Sequence, residues 1–493
     1  MRLHQLGRGR NSTPFLTVGP GIHPPETEKP MLPAKRIIGI DLGVSSSHNA
    51  CVLDLATGKV VARRKFVSKP DDLIDLVAAA RAGLGVDDPI GVVMEATAGA
   101  WFAPAAWFGQ HDIGVYRVST TKASDLRKFF SRHVKTNTID AETLARLALL
   151  APESIDPLEF PDVHRAGLDR RVRATHRYVV QSTNHLIRIR QLTYHVMPRF
   201  NLAVTGAFAM SDLALLEKYA NPHRLAAVPR HRLVAFIRKA STGHVPDSRA
   251  DLWLQAAREA VELFGDETGI AFDDVAAEIA SEVRMWRACQ AELAGHAEAR
   301  ETHYRVVDPD QLARTLPGIK ESGGPVLVAA LGRAHRFPTS AQFKNYSGLA
   351  PKASETGDTD RKGQAMSKSG PRLLRYQLVM SANTARQLDP QLAKVYYDQM
   401  TSHGAHHTKA VCVVAAKLAE RAWTVMTRQT PYVICDIDGT PVDNPTAKAI
   451  IAERYHVPAD IRQRRRSTKA NAKQEAKRKR PHQDRQHGPA KAA

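Results

Sequence analysis

Three acidic side chains stand where a carboxylate needs a partner. Asp41 interrupts the apolar run Arg36–Gly43, and Glu95 ends a second run, Ile90–Glu95. Asp140 comes at the start of a predicted helix, directly after a basic loop. A buried, unpaired carboxylate is costly, and Mg²⁺, which binds carboxylate oxygens, is one partner that removes this cost. The three acids therefore suggest a metal site, although each has a simpler interpretation as a turn cap, a surface strand end or a helix N-cap.

The elements around these acids predict how they meet. Three strands of an antiparallel meander come first, and alternating helices and strands follow. This is the order of an RNase H-like fold, in which the ends of the first and fourth strands lie side by side and a late helix packs against them. Clustered carboxylates of this kind hold the ions of two-metal phosphoryl chemistry. The predicted strands are 36–43, 49–55, 60–67, 90–95 and 113–118, and the predicted helices are 71–82, 98–108 and 140–150.

The overall charge indicates a polyanionic partner. The 493 residues carry a net charge of +20, and the isoelectric point is about 9.9. Nucleic acid is the commonest polyanion in the cytoplasm. No apolar run reaches membrane-spanning length, and the four cysteines form no metal or disulfide spacing. We expect a cytoplasmic, nucleoid-associated protein of two or three domains, with no membrane segment.

Half of the excess charge lies in the last segment. Residues 462–493 contain twelve Lys and Arg against two acids, Glu475 and Asp484. This tail is predicted to be disordered and to contact nucleic acid without sequence preference. The pattern divides the remaining chain into a disordered leader at 1–34, an α/β domain at 35–155, a helical coiled-coil region at 160–305, a mostly α-helical domain at 306–430, and a short hairpin and helix at 431–461.

A long helix is predicted after Pro161. Apolar and small residues recur there at alternating spacings of four and three, which is a coiled-coil pattern diluted by Thr and Ser. A second long helix, about 273–303, is predicted to run back antiparallel to the first. The first helix is either solvated within a bundle or carries a seam that dimerises or grips nucleic acid. The seam positions are Leu168, Val172, Thr175, Val179, Ser182, Leu186, Ile189, Thr193 and Val196.

The last folded part contains a turn that suits a phosphate and, after it, polar segments that lead into a helix. Leu316–Ile319 is predicted to join two helices by a tight turn whose backbone N–H groups are exposed. Further on, a polar loop at 352–363 is followed by a segment rich in Ser and Gly at 367–370, which leads into a helix at 373–386. The histidines at 403, 406 and 407 are interpreted as basic loop residues rather than metal ligands.

The ordered series of these motifs resembles the DEDD transposases of the insertion sequence one-ten family, over roughly residues 36–430. The resemblance implies a RuvC-like N-terminal domain, a coiled-coil linker, a C-terminal transposase domain, Mg²⁺, a homo-oligomer and a guiding non-coding RNA. The matching motifs are Ile-Gly-Ile-Asp-Leu-Gly (38–43), Val-Val-Met-Glu (92–95), Lys-Thr-Asn-Thr-Ile-Asp-Ala (135–141), Leu-Pro-Gly-Ile (316–319), Tyr-Ser-Gly-Leu-Ala-Pro (346–351) and Ser-Lys-Ser-Gly-Pro-Arg-Leu-Leu-Arg (367–375).

Two positions depart from the family pattern. The four family acids map to Asp41, Glu95, position 137 and Asp140, and position 137 is Asn here. Asn137 can bind Mg²⁺ through its carbonyl oxygen but adds no charge, so metal affinity is expected to fall. The family's nucleophilic serine stands before a glycine, where this chain has Thr356.

The sequence therefore predicts a DNA transposase or recombinase that cuts and rejoins strands with a metal site and a second, hydroxyl-bearing site. The nucleophile is ranked as Ser354 first, Thr356 second and Ser367 third, since Ser367 is expected to cap a helix. The alternatives are an RNase H-like, junction-type nuclease that only hydrolyses, and a catalytically impaired nucleic-acid-binding descendant. The predicted nucleic-acid contacts are Lys122, Arg127, Lys128, Arg132, Lys135, Arg170, Arg171, Arg173, Arg177, Gly318, Lys320, Lys352, Arg361, Lys362, Lys368 and Arg372.

Overall fold

The computed structural model places most of the chain in two compact units that meet between Phe160 and Pro161, and each unit is described by itself. No helix of the described residues is long and apolar enough to cross a membrane. The predicted leader, basic loop and tail lie almost wholly outside the described residues. These are 34–95, 99–118, 123, 125, 137–152, 155–265, 269–352, 355–356, 359–360 and 364–463.

A mixed β-sheet forms the centre of the first unit. Its order is β3-β2-β1-β4-β5-β6, with β1 antiparallel to β2 and β2 antiparallel to β3. The pairs β1–β4 and β4–β5 are parallel, and the short β6 closes the other edge antiparallel to β5. This confirms the predicted order of a meander followed by parallel strands. The strands are β1 (Arg36–Asp41), β2 (His48–Asp54), β3 (Val60–Phe66), β4 (Ile90–Glu95), β5 (Gly114–Val118) and β6 (Asp156–Pro157).

Helices cover both faces of this sheet. The central strands are buried along their length, and their successive side chains point to opposite faces. Ile38 and Ile40 pack in one cluster with residues of α1 (Pro70–Arg81) and α2 (Phe102–Gln110). Ile37 and Val93 face the other way and pack against α3 (Asn137–Leu150). The site-bearing strands are therefore held between two apolar layers.

The start of α3 corrects one prediction. The helix begins at Asn137, so Asp140 lies in its first turn and does not open it. A helix-forming run continues upstream of the acid, and Asp140 thus cannot be the N-cap. An acid in the first turn still interacts favourably with the positive end of the helix dipole.

A pair of long antiparallel helices begins the second unit. Helix α4 (Val163–Val196) packs along α9 (Phe272–Val307), which confirms the predicted return. Side chains join the two helices in antiparallel register at four levels. The donor and acceptor atoms lie 2.6 to 3.0 Å apart in the pairs Arg171–His296, Ser182–Gln290, His185–Glu282 and Arg188–Glu278.

The predicted seam of α4 packs within the same chain, against α9, the cap and the C-terminal part, and it differs from the prediction at three positions. Val179 is 46% exposed, while Ala174 and Leu192 are buried in addition to the predicted residues. The elements that pack on α4 cover only part of its circumference, so a residue at the edge of the covered face stays in solvent. The other predicted positions are buried or half-buried.

Four shorter helices connect the long pair and form a second core around Trp253. Asp212, almost fully buried in this core, accepts hydrogen bonds from Arg249 at 2.6 Å and from Trp253 Nε1 at 3.0 Å. We call residues 197–271 the cap. Its helices are α5 (Met210–Tyr219), α6 (Pro222–Ala226), α7 (Arg230–Ala240) and α8 (Ser248–Phe264).

The described residues of the C-terminal part are helical around α15 and include a small β-hairpin. The predicted hairpin near residue 438 is also present, since Val442 donates its backbone N–H to Ile434 and Asp436 donates to Thr440. The turn after Leu316 joins two helices, as predicted, and α16 matches the short helix predicted near the end. The elements are α10 (Leu312–Thr315), α11 (Gly323–Leu331), α12 (Ser340–Ser347), β7 (Glu355–Thr356), β8 (Thr359–Asp360), α13 (Arg372–Ala385), α14 (Pro390–Thr401), α15 (His407–Arg428) and α16 (Asn444–Arg454).

Candidate functional site

The sheet brings two of the predicted acids to the same end. Strands β1 and β4 are parallel, with Ile40 opposite Met94, so Asp41 and Glu95 are the next residues along the two neighbouring strands. Both side chains are half-buried. Each follows a run of fully buried strand residues, and the two acids therefore stand at the rim of the core.

A glycine lets the helix that carries the third acid pack closely against β1. A Cβ atom on Gly39 would lie 2.2 Å from the carbonyl oxygen of Ala141 and 2.5 Å from the amide nitrogen of Ala145. Only glycine allows such close contact between strand and helix. The first turn of α3, which carries Asp140, consequently packs against β1 two residues before Asp41. The sequence analysis treated Gly39 only as part of a motif and missed this role.

The turn that follows Asp41 is fixed by a histidine that the sequence analysis also missed. The backbone N–H of Gly43 donates to Nδ1 of His48 at 3.1 Å, and Nε2 of His48 lies 2.9 Å from Oγ of Ser68. Burial lowers the pKa of His48, which favours the neutral ring that can accept this bond. His48 thus holds the backbone next to the end of the sheet that carries Asp41 and Glu95, which we call the acid rim.

The nearest further acid on α3 is already neutralised. Glu142 accepts hydrogen bonds from Arg63 at 2.6 Å and from Arg146 at 2.9 Å. Burial opposes ionisation of Glu142, but the hydrogen bonds from Arg146 and Arg63 together hold its pKa below the usual value. Glu142 therefore stabilises the contact between α3 and β3 rather than adding a charge to the rim.

The predicted metal centre is not visible in the arrangement of the described side chains. Among the described residues, no group of three or more His, Cys, Asp and Glu side chains is placed to hold a metal ion. The donor types at the rim are nevertheless oxygen atoms, which suit Mg²⁺. Asn137 is the first residue of α3, and its side chain lies outside the described part.

The described residues of the polar segment predicted as a loop pair in a β-hairpin. Backbone hydrogen bonds from Lys368 to Gly348, from Ser367 to Ala350 and from Lys352 to Ala365 pair its two sides, with N···O distances of 2.8 to 3.1 Å. Strands β7 and β8 continue this pairing, with Thr356 opposite Thr359. We call the segment 348–368 the arm; the structure describes its residues 348–352, 355–356, 359–360 and 364–368. The prediction was wrong because pairing across the segment, rather than local turn residues, decides its structure.

Two glycines hold the base of the arm against α12 and α13. Gly370 has φ +82° and Gly348 has φ +73°, a region that favours glycine. A Cβ atom on Gly370 would lie 1.8 Å from the carbonyl oxygen of Tyr346, and one on Gly348 would lie 2.1 Å from that of Ser369. Arg375 of α13 bridges the same two segments, since its guanidinium donates to Ser369 O at 3.3 Å and to Ser347 O at 3.4 Å.

The three candidate hydroxyls have different positions relative to the arm. Thr356 belongs to β7, and Ser354 lies outside the described residues. Ser367 donates its backbone N–H to Ala350, and α13 begins only at Arg372, after Pro371 as N-cap. Ser367 is therefore part of the arm's second side, and the expectation that it caps a helix was wrong.

Known sequences match both parts of the chain that carry these features. A family model described as a transposase, DEDD_Tnp_IS110, matches residues 38–198, and a second, described as transposase IS116/IS110/IS902 family, matches residues 310–398. The chain belongs to the IS110 family of transposases. The matches in this transposase extend from β1 to α4 and from α10 into α14, so most of the cap lies between them.

Curated relatives agree with this assignment. The insertion element IS110 uncharacterized 43.6 kDa protein of Streptomyces coelicolor is 25% identical over 57% of this chain and 68% of its own length. The insertion element IS116 uncharacterized 44.8 kDa protein of Streptomyces clavuligerus is 22% identical over 79% of this chain and 94% of its own length. The transposase for insertion sequence element IS1328 of Yersinia enterocolitica is 32% identical over 29% of this chain and 41% of its own length.

The predicted nucleic-acid contacts of this transposase fall into three groups. Arg170, Arg171, Arg173 and Arg177 line one groove between α4 and α9. In a second group, four side chains are exposed: Lys320, Lys352, Lys368 and Arg372. Gly318, also in this group, lies in a tight turn with φ +75°, and a Cβ atom on it would lie 2.3 Å from the carbonyl oxygen of Ser381. Outside the described residues lie Lys122, Arg127, Lys128, Arg132, Lys135, Arg361 and Lys362.

Proposed function

We propose that this transposase cuts and rejoins DNA strands with two cooperating sites, an acid rim in an RNase H-like, RuvC-like domain and a hydroxyl on the arm. The observation that carries the proposal is the meeting of β1, β4 and α3 at one end of the sheet. Gly39 lets the helix that bears Asp140 pack directly against the strand that bears Asp41. Asp41 and Glu95 end neighbouring parallel strands, and the helix that carries Asp140 packs on one of those strands, which supports a shared site for the three acids.

The acid rim supplies oxygen donors for Mg²⁺. Asp41, Glu95 and Asp140 are the proposed ligands, with the Asn137 carbonyl oxygen at the edge of the set. When bound, Mg²⁺ stabilises negative charge on the reacting phosphate and orients its oxygens. Because Asn137 replaces a carboxylate, the set carries one negative charge fewer than the family pattern, and we expect weaker metal binding.

The arm supplies the nucleophile. A hydroxyl oxygen attacks the phosphorus, a new P–O ester joins protein and DNA, and the broken strand leaves with a free hydroxyl that takes up a proton. The ester keeps the phosphate activated, so the reverse attack by a strand hydroxyl rejoins DNA. Ser354 is our first choice and Thr356, whose β-methyl crowds the approach, our second. Lys352 and Lys368 on the arm would stabilise the charge that develops on the phosphate, together with Arg361 and Lys362.

The proposed partners are DNA, a structured non-coding guide RNA and a second copy of the chain. The oligomer is supported by an exposed apolar stripe on α4. Val180, Ile187 and Tyr194 recur every seven residues and are exposed, while the predicted seam already packs within the same chain. A seven-residue apolar repeat is the pattern that pairs helices between chains.

Sedimentation of a charged variant tests the oligomer. Replacing Val180 and Ile187 by Glu should turn a dimer or tetramer into a monomer at micromolar concentration. The matched control is Val86→Glu, because Val86 is 90% exposed in the first unit and belongs to no such stripe. A wild-type protein that sediments as a monomer with and without nucleic acid would rule out the oligomer.

Trapping the covalent adduct tests the reaction. Wild-type protein is incubated with donor and target DNA and Mg²⁺, then denatured and examined for protein-linked DNA. We expect an adduct that Ser354→Ala abolishes and that Ser367→Ala leaves intact. Loss with Thr356→Ala and persistence with Ser354→Ala would make Thr356 the nucleophile. Metal-dependent cleavage without an adduct would support the nuclease alternative, and binding without cleavage the impaired descendant.

A further inference from the structure

A groove of about 480 Å³ lies between α4 and α9, on the half of the helix pair next to the C-terminal part. Its lining is strongly basic and contains no acid side chain. The lining residues are Gly167, Arg170, Arg171, Arg173, Ala174, Arg177, His296 and His303.

Small residues make the floor of this groove and long basic residues make its walls. A Cβ atom on Gly167 would lie 2.4 Å from Nε2 of His303, so the imidazole rests directly on the backbone of α4. Ala174 continues the floor two helical turns further along α4. Arg170 and Arg177 are seven residues apart, which places them about 10 Å apart along one edge of the helix. That spacing allows contact with more than one phosphate of an extended strand.

The positive charge in the groove is only partly neutralised within the protein. Arg173 pairs with Asp169 at 2.8 Å. Arg170 and Arg177 have no ion-pair partner among the described residues. The guanidinium carbon of Arg177 lies 5.9 Å from the centroid of the Tyr178 ring. Burying or crowding guanidinium groups without counter-charge costs free energy that an external anion recovers.

The other half of the helix pair shows the opposite arrangement. There Arg188 pairs with Glu278 at 2.6 Å, and His185 contacts Glu282 at 2.6 Å. The same two helices thus carry balanced charges toward the cap and unbalanced positive charges toward the C-terminal part. Charge needed only for solubility would not be sorted in this way.

The hydrogen bond at the groove's wall leaves a donor for a ligand. A guanidinium can only donate, so Arg171 donates to Nδ1 of His296 at 3.0 Å and the proton of a neutral His296 is on Nε2. Nε2–H and the exposed Arg side chains are all donors. A phosphate oxygen is an acceptor that matches them, and Arg in particular binds phosphate in two-point contacts.

We propose that this groove binds the sugar-phosphate backbone of a nucleic-acid strand, without base preference, through Arg170 and Arg177. The proposal does not depend on strand transfer, because it concerns binding by the helix pair and requires neither the acid rim nor the arm hydroxyl. DNA and RNA strands share the phosphate chemistry, and the two arms of the test separate them.

Binding of single strands to the full-length protein tests the groove. Wild-type protein and Arg170→Gln/Arg177→Gln are titrated, without divalent metal, into fluorescent mixed-sequence DNA and into RNA of the same sequence at several salt concentrations. Loss of two phosphate contacts should lower the slope of log affinity against log salt by about 1.4. Weaker binding by roughly tenfold at the lowest salt should accompany it.

The matched control removes the same charge from paired positions. Arg188→Gln/Arg224→Gln also deletes two exposed guanidinium groups of the second unit, each of which is paired with an acid, Glu278 or Asp273. The control should keep the wild-type slope within about 0.5, and thermal melting should show that both double variants are folded.

Each outcome decides the proposal. A slope that falls for both strands supports a backbone contact of either strand type, and a fall for DNA alone or RNA alone supports the groove and identifies its ligand. An unchanged slope for the groove variant, or an equal fall for groove variant and control, would overturn it. The Asp41→Asn protein should bind as wild type in this assay, so failure of the catalytic proposal is distinguishable.

Discussion

The two units hold their reactive positions in contrasting ways. In the first, Asp41 and Glu95 end strands whose preceding residues are fully buried, and α3 is packed against them through Gly39. In the second, the candidate hydroxyl region belongs to a narrow arm that is anchored at its base by two glycines and Arg375. The acids are positioned by the core, whereas the arm is positioned by a few contacts.

Under the proposed function, this difference suits different tasks, the metal site in the first unit and the nucleophile on the arm. A metal site must keep several oxygen atoms in fixed geometry, and a core strand and a packed helix provide this rigidity. A nucleophile that first attacks and later leaves must reach a bulky DNA substrate, and an arm that extends from a helical domain provides that access. Changes in the two regions should accordingly fail in different ways.

Asp41→Asn should give the largest effect and retain folding. Loss of a carboxylate from the rim removes several kcal/mol of charge stabilisation in the transition state, which corresponds to at least about a 100-fold slower strand transfer. Glu142→Gln is the control, since Glu142 is paired with Arg63 and Arg146. The two rates are compared in a strand-transfer assay. Equal rates for both variants would place the chemistry elsewhere.

Gly370→Ala should reduce adduct formation while DNA binding stays unchanged. A side chain at φ +82° and against Tyr346 O must shift the base of the arm, and misplacement of a reacting group by about 1 Å costs up to 100-fold. Arg375→Gln removes two carbonyl contacts and should have a smaller effect in the same direction. A drop in DNA affinity that accounts for the lost adduct would argue against positioning by the arm.

Gly39→Val should destabilise the first unit by about 1–3 kcal/mol, because a larger side chain forces α3 away from β1. Gly99→Ala is the control in the same unit, since a Cβ atom there meets nothing within 4 Å. Thermal unfolding measures both. If Gly39→Val melts like Gly99→Ala, the close packing of α3 does not position Asp140.

Removal of residues 462–493 should have the smallest effect on specificity. The deletion should weaken binding to all nucleic acids alike, on the order of tenfold, and flatten the salt dependence, because a basic tail contacts phosphates. Competition between target and random DNA measures the ratio of affinities. A changed ratio would show that the tail distinguishes sequences.

The strands and long helices could be predicted from the sequence because local pattern determines them. The strand Ile90–Glu95 was placed at its observed bounds, and the return of α9 along α4 followed from two long amphipathic segments. The placement of Asp41 and Glu95 at the ends of neighbouring parallel strands followed from this element order, whereas Asp140 lies inside the first turn of α3 and not at its start. These features depend on periodicity and connectivity, which one sequence contains.

The arm and the acid rim's supports could not be predicted in the same way. Pairing of Lys352 with Ala365 depends on hydrogen bonds across the segment, and no turn pattern in the polar run indicated them. The roles of Gly39 and His48 depend on which helix and turn come close to them in space. Val179 was assigned to the seam because spacing alone does not show how wide a stripe the partner helix covers.

The helix pair of α4 and α9 also has a consequence for how this chain can vary. Near the C-terminal part, Nδ1 of His164 lies 3.4 Å from Nδ1 of His303, so the chain leaves and re-enters at almost the same place. The segment between these two residues, the cap included, is therefore an insertion whose first and last residues already lie side by side. The cap can be shortened, enlarged or replaced by another domain at the far end of the pair without separating those two residues. The pair thus works as a modular stem on which an insertion can be exchanged.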